Sequence, residues 1–233
     1  MTPAEIGAGI SIVILAIVSL VLSIFVFRKY RTGLYSYLWW GAGIFIGFVT
    51  VLQEAVFYFG YWSEQLMRTY IFLVALLVGL LSIGSVGLVK SKLVRAAWFG
   101  YMVLMSIATA YFSFTTPVGR GVVVNGVITG TLPAVDVISS TLITAPGAIA
   151  IIVLAIYSTL VRGKVGTLFI AAGGIVISVS GAMFVLRSFP VTLYYAEFVG
   201  ILLLFLGFTE FPSKSPGLFG ASATLTARTK GNR

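Results

Sequence analysis

Long apolar runs separated by short polar connections dominate this chain. A helix that rises 1.5 Å per residue needs about 20 residues to cross about 30 Å of hydrocarbon, and seven runs approach or exceed that length. The runs are continuous and lack the alternating pattern of a membrane strand, so each predicts a transmembrane helix. The seven predicted helices lie near residues 6–27, 34–59, 66–89, 95–115, 138–161, 165–186 and 190–209.

The predicted fold is therefore an all-α, seven-helix transmembrane bundle that occupies residues 1–211. Residues 116–137 form one long connection between helices 4 and 5. In this connection Asn125-Gly126, the favoured two-residue turn, separates two β-branched runs and predicts a short external β-hairpin. The hairpin is interpreted either as a cap over helix ends or as a substrate lid. Residues 212–233 predict a mobile basic cytoplasmic tail.

Composition supports membrane insertion. Hydrophobic residues make up 59% of the chain and charged residues 9%, with a mean hydropathy of +1.10, which leaves too little polar surface for a water-soluble domain. Twelve of the 15 Lys and Arg residues fall on one predicted side, so the positive-inside rule places the N-terminus outside and the C-terminus in the cytoplasm. The net charge of +9 reflects this topology and attraction to anionic headgroups, and no nucleic-acid partner is indicated.

Glu54 and Glu197 are the two carboxylates that lie well inside apolar runs. An ionisable group in the hydrocarbon is costly, and it indicates a functional site by default. Each has an Arg at a neighbouring predicted helix end, Arg68 for Glu54 and Arg187 for Glu197. Four polar residues are expected nearby: Gln53, Tyr58, Tyr194 and Tyr195.

Two interpretations of this constellation stay open. In the first, the acids and arginines are structural ion pairs that fix the register of neighbouring helices. In the second, they line an outward-facing polar pocket for ligand binding or proton coupling, in which a solute, lipid headgroup, quinone or proton engages the charged groups.

Small residues at helical spacing predict close helix packing, because lipid supplies no hydrophobic drive between helices. On helix 2 the small-residue stripe ends on Glu54, which turns this carboxylate toward protein. The predicted packing residues are Gly43 and Gly47 on helix 2, Gly79 on helix 3, and Gly174, Ser178 and Gly181 on helix 6.

The chain contains no His and no Cys, which excludes bis-His haem ligation, a thiolate metal site and a Cys nucleophile. Two deep carboxylates alone make a poor transition-metal site, so no metal and no cofactor are predicted. Phosphate-binding loops, nucleophile elbows and zinc-protease motifs do not occur, and no catalytic residue is assigned.

Seven helices with an external N-terminus resemble the architecture of retinal proteins. That family holds its pigment on a lysine in the last helix, whereas residues 190–209 contain no lysine, so covalent retinal is not expected.

A further set of motifs resembles a loosely defined group of uncharacterised seven-helix membrane proteins of bacteria and archaea. The motifs are Tyr37-Leu38-Trp39-Trp40, Glu54 followed by Arg68-Thr69-Tyr70 and Gly79, Pro146 with Tyr157-Ser158, and Glu197 with Gly200 and Gly207-Phe208. The resemblance spans most of helices 2 to 7. It implies a prokaryotic cytoplasmic membrane and carries no activity or ligand.

Three function classes follow from the sequence. The first is binding or transport of a small or amphipathic solute through the outward-facing pocket. The second is a non-catalytic accessory or interaction subunit of a larger membrane complex, and the third is a membrane sensor. The expected partners are the lipid bilayer, a small-molecule or lipid ligand, and a membrane-complex partner or a second copy of the chain.

Overall fold

A computed structural model describes residues 3–30, 35–124, 127–128, 132–162, 165–185 and 190–210. Its helices are α1 (Pro3–Tyr30), α2 (Tyr35–Tyr58), α3 (Glu64–Val86), α4 (Lys92–Thr115), α5 (Ala134–Arg162), α6 (Val165–Val185) and α7 (Pro190–Glu210). The connection between α4 and α5 contains a 3-10 turn (Arg120–Val122) and two strands, β1 (Val123–Val124) and β2 (Val127–Ile128). The predicted turn at Asn125-Gly126, the predicted site residue Arg187 and the predicted tail at 212–233 lie outside the described residues.

Five helices are long and apolar enough to cross a membrane, which is consistent with a multi-pass membrane protein. Within the described part of α6 and α7, the apolar stretches are shorter. The five spans are Gly9–Tyr30, Tyr35–Tyr58, Glu64–Val86, Lys92–Thr115 and Ala134–Val161, and the two shorter stretches are Gly166–Val179 and Tyr195–Phe208.

The start of α5 differs from the sequence prediction, and the difference changes the environment of Asp136. α5 begins at Ala134 rather than near residue 138, and the amide of Val137 already donates to the carbonyl of Pro133. Asp136 therefore lies in the first turn of a helix and not in the connection, where a carboxylate favourably faces the positive end of the helix dipole. The charged Asp136 interrupts the apolar pattern there, so hydropathy alone did not reveal this first turn.

Six of the helices form a closed ring in the order α1, α2, α3, α5, α6, α7 and back to α1. α4 packs outside this ring against α3 and α5. Only three of its side chains are buried, Met102, Thr109 and Ser113. Most of its other side chains are exposed on the outside of the ring.

Small residues allow neighbouring helices of the ring to approach closely. A Cβ at Gly43 would lie 3.0 Å from the Leu81 side chain, and one at Gly47 would lie 2.6 Å from Leu77, so the predicted stripe of α2 faces α3. A Cβ at Gly173 of α6 would lie 2.7 Å from the carbonyl oxygen of Gly200 in α7. This contact is backbone against backbone, and it cannot relax by a side-chain rotation.

The other predicted packing residues lie at helix contacts as well. A Cβ at Gly79 of α3 would meet Ile143 of α5 at 3.2 Å, and one at Gly174 of α6 would meet Ile152 of α5 at 3.3 Å. Ser178 donates a hydrogen bond to the carbonyl of Gly174 at 2.7 Å, which satisfies its hydroxyl within α6. For Gly181 only the helical backbone is described.

The two ends of the bundle differ in chemistry. We call the end at which α2 ends and α3 begins the hairpin end, because β1 and β2 pair there antiparallel, with Val123 opposite Ile128 and Val124 opposite Val127. We call the other end the basic end, after residues Arg28, Lys29, Lys90, Lys92 and Arg95. The apolar core of the basic half joins five helices: Leu22, Val26, Tyr37, Trp40, Ile44, Ile151, Ala155, Ile170, Ala171, Leu204 and Phe208.

Substitution of Gly173 tests the α6–α7 contact. We expect Gly173→Ala to lower the free energy of unfolding by about 1–3 kcal/mol, because the added methyl forces the two helix backbones apart. Thermal denaturation of the purified protein in detergent measures this change. Gly100→Ala in α4 is the matched control, since a Cβ there meets no atom within 4 Å. Equal stability of the two variants would contradict the close approach of α6 and α7.

Candidate functional site

Glu54 lies inside the helix ring and is 1% exposed. Its position follows from the small-residue stripe of α2, which ends on this carboxyl and faces α3. There Tyr70 donates a hydrogen bond to Glu54 Oε1 over 2.7 Å. The second oxygen, Oε2, is buried and accepts no hydrogen bond from the described residues. One half of the carboxyl is thus held by α3, and the other half is unsatisfied.

Glu197 of α7 is the second carboxyl of this site. It is partly buried, and it lies one turn from Ile201, which packs on the cluster that contains Val51, one turn from Glu54. The ring therefore brings together two acids that are 143 residues apart in the chain. Two negative charges in apolar surroundings repel strongly. The pair is stabilised when it carries a proton or faces another positive charge.

Apolar layers lie on both sides of the carboxyl pair. Toward the middle of the bundle, Ile12, Leu15 and Val51 form a buried cluster against which Ile201 packs. Val51 is one turn from Glu54, and Ile201 is one turn from Glu197. Toward the hairpin end lies a second cluster, which we call the hairpin cap: Phe57, Met67, Tyr70, Ile71, Val118, Val122 and Ile128.

The hairpin cap covers the site at the hairpin end. Ile128 of β2 is fully buried, and β2 contacts both α2 and α7, the two helices that carry the acids. Phe57, one turn above Glu54, packs edge-on against Tyr70 with ring centroids 6.1 Å apart. Glu54 is therefore covered by apolar side chains on the side of the hairpin.

Arg68 does not pair with Glu54, contrary to the sequence interpretation. Its Nη2 donates to Glu64 Oε1 at 2.7 Å, and its Nη1 donates to the carbonyl of Phe114 at 2.7 Å. The reason is the helical phase of α3. Arg68 shares a face with Gly79 and Ser82, which packs on α4 and α5, whereas Tyr70, two residues on, faces Glu54.

Asp136 is the acidic residue that the sequence interpretation missed. It is fully buried, neither of its carboxyl oxygens has a hydrogen-bond partner among the described residues, and the charge of Arg68 acts on it. Arg68 makes its ion pair with Glu64 instead. Asp136 could have been predicted as a buried acid if helix 5 had been started at Ala134. Its carboxyl would then have been placed on the helix face that meets α3 and α4.

Glu64 and Arg68 anchor the connection that carries the hairpin. Arg68 holds the last turn of α4 through the Phe114 carbonyl, and Glu64 Oε1 accepts a hydrogen bond from the amide of Val118 at 3.1 Å. One Arg–Glu pair thus contacts both the last turn of α4 and the start of the hairpin connection.

The remaining predicted site residues have different environments. Gln53 is buried, and its Oε1 has no hydrogen-bond partner in the described part of the chain. The rings of Tyr58 and Tyr195 pack on glycines of α1, where a Cβ at Gly9 or Gly7 respectively would overlap them. For Tyr194 only the helical backbone is described, and Arg187 lies outside the described residues.

No protein-family model, curated protein or solved structure matches the chain. Within the described residues, no group of three or more His, Cys, Asp or Glu side chains could hold a metal ion. Function is accordingly inferred from the geometry of Glu54, Glu197 and Tyr70.

Removal of the Tyr70 hydroxyl tests how firmly Glu54 is held. We expect Tyr70→Phe to lower the free energy of unfolding by about 1–3 kcal/mol. The buried Glu54 carboxyl then has no hydrogen-bond donor at either oxygen among the described residues. Tyr111→Phe is the matched control, since that side chain is 65% exposed on α4. Thermal denaturation of both variants in the same detergent gives the comparison, and equal midpoints would argue against the Tyr70–Glu54 bond.

Removal of the Glu64 charge tests the anchoring of the hairpin connection. We expect Glu64→Gln to increase the rate of trypsin cleavage after the exposed Arg120, because Arg68 and the Val118 amide lose their shared anionic partner. Cleavage after Lys90, at the basic end, serves as the internal reference. Mass spectrometry of the fragments measures both rates. An unchanged ratio of the two rates would show that Glu64 does not restrain the connection.

Proposed function

We propose that the chain is a multi-pass membrane protein that binds or transports a small solute at the Glu54–Glu197 pair. The recognised feature of this solute is a positive charge, either a proton or the cationic group of a small ion or amine. The observation that carries the proposal is the placement of two interacting carboxyls inside the helix ring, between two apolar layers.

The proposal includes a topology of seven spans with the N-terminus and the hairpin outside and the C-terminus in the cytoplasm. The bias of Lys and Arg toward the basic end supports this orientation. The contact of α6 and α7 with each other and with α5 and α1 supports their insertion alongside the five longer apolar helices. A prokaryotic cytoplasmic membrane is part of the same proposal.

Charge is the property by which this site would select its ligand. The unsatisfied atoms in the described part of α2, Glu54 Oε2 and Gln53 Oε1, are both hydrogen-bond acceptors. Glu197 adds a second carboxyl, and Arg68 is engaged by Glu64. A site built from acceptors and negative charge binds donors and cations, and it disfavours anions.

Access to the pair involves the hairpin cap. Ile128, Val122 and Val118 are buried over the hairpin end of α2 and α3, so a solute larger than a proton reaches Glu54 from that side only when the cap moves. This arrangement supports a lid role for the hairpin connection. A proton can reach Glu54 without this movement. A proton and a larger cation therefore differ in whether binding requires the hairpin cap to move.

Thermal stabilisation of the purified protein tests the proposal. The probes are methylammonium chloride and sodium chloride, compared with choline chloride at equal ionic strength, each across a range of pH. A ligand at 100 times its Kd stabilises the folded state by about 2.7 kcal/mol, which is a shift of several degrees in the denaturation midpoint. We expect a stabilisation by one cation, or by protons, that Glu54→Gln and Glu197→Gln each remove.

Glu210→Gln is the matched control, because it removes the same charge from α7 about 20 Å along the helix axis from Glu197. An equal loss of stabilisation in this variant would mean that the effect is one of overall charge. If a neutral solute stabilised the protein and Glu54→Gln removed this effect, the position of the binding site would be supported and its preference for positive charge would be overturned. Retention of a protein partner through purification, with no solute effect, would favour the accessory-subunit function instead.

A further inference from the structure

A groove of about 180 Å³ lies between α2, α3 and α4 at the basic end, far from the carboxyl pair. Aromatic side chains from the first turns of α2 and α4 line it, together with Arg95. The rings of Trp39 and Phe99 lie 5.7 Å apart across the α2–α4 boundary. The indole of Trp98 is fixed by a hydrogen bond from its Nε1 to Ser82 Oγ at 3.1 Å. The groove walls are therefore rigid and mostly apolar.

The position of the groove along the helices is that of the lipid headgroup boundary. Tyr35 and Trp39 lie in the first two turns of α2, and Arg95 and Trp98 lie in the first two turns of α4. Tyr and Trp concentrate at this level of membrane proteins because their rings are apolar and their polar atoms reach water. An occupant of the groove consequently has one part in hydrocarbon and one part among headgroups.

The charge around the groove is positive. Arg95 is exposed at its rim, and Lys90 and Lys92 are close to it in the chain. The first turn of α4 contains no acidic residue, although the positive end of a helix dipole normally favours one there. The acidic side chains that the structure describes all lie in the hairpin half: Glu54, Glu64, Asp136 and Glu197. An anionic occupant is complementary to this surface.

We propose that the groove binds an anionic phospholipid, with the lipid phosphate at Arg95 and one acyl chain against Trp39 and Phe99. The phosphate accepts hydrogen bonds from the guanidinium, which can donate two in parallel. The acyl chain fills the apolar part of the groove between α2 and α4. Anionic lipids are known to favour basic pockets between transmembrane helices on the cytoplasmic side, and the proposed topology gives this end that orientation.

Lipid binding to the purified full chain tests this site. Phosphatidylglycerol and phosphatidylcholine with identical acyl chains are titrated into the detergent-solubilised protein, and bound lipid is counted by native mass spectrometry. We expect phosphatidylglycerol to bind more tightly, and Arg95→Gln to weaken its binding about tenfold, because a charged hydrogen bond is lost. Arg28→Gln is the matched control, since it removes one positive charge from the same end on α1, outside the groove.

Trp39→Leu provides a second variant that keeps all charges. It removes an aromatic wall of the groove, and we expect it to weaken phosphatidylglycerol binding while the protein remains folded. Equal binding of the two lipids, or an equal loss in Arg28→Gln and Arg95→Gln, would overturn the site in favour of a diffuse surface potential. Stabilisation by inorganic phosphate that matches the stabilisation by phosphatidylglycerol would show that the acyl chain contributes nothing, and would also overturn the proposal.

Discussion

Close approach of helix backbones is the constraint on which the rest of this structure depends. In lipid no hydrophobic force drives apolar helices together, so van der Waals contact and internal hydrogen bonds hold the bundle. Gly173 against Gly200 joins α6 to α7, and Gly43 and Gly47 bring α2 onto α3. These contacts close the six-helix ring. The closed ring places α2 and α7, which carry Glu54 and Glu197, on either side of α1.

Charge in this protein is divided unevenly between the two ends of the bundle. The acidic side chains that the structure describes lie in the hairpin half, and the basic residues concentrate at the other end. Within the hairpin half, the acids are treated unequally. Glu64 has Arg68 as its partner, whereas Glu54 has a tyrosine hydroxyl and Asp136 has no hydrogen-bond partner within the described residues. The exposed Glu64 thus has an ion-pair partner, whereas the two fully buried acids, Glu54 and Asp136, have none among the described residues.

Sequence reasoning predicted the helical class, the approximate helix bounds and the burial of Glu54, because hydropathy and small-residue spacing are local properties. It paired Arg68 with the wrong acid, since reach across a turn is easy to estimate from sequence while the relative phase of two helices is not. It also left Asp136 in the connection, because this charged residue interrupts the apolar pattern in the first turn of α5. The meeting of Glu54 with Glu197 depends on the order of helices around the ring, and hydropathy carries no information about that order.

The placement of α4 outside the ring has a mechanical consequence. This helix of 24 residues is a rod about 36 Å long that packs mainly on α3 and α5. One tip carries Arg95 and lines the groove at the basic end, and the other tip carries the Phe114 carbonyl that Arg68 holds. Because a helix is stiff along its axis, a displacement of one tip is transmitted to the other. α4 thus links the groove at the basic end mechanically to the hairpin connection at the opposite end of the bundle.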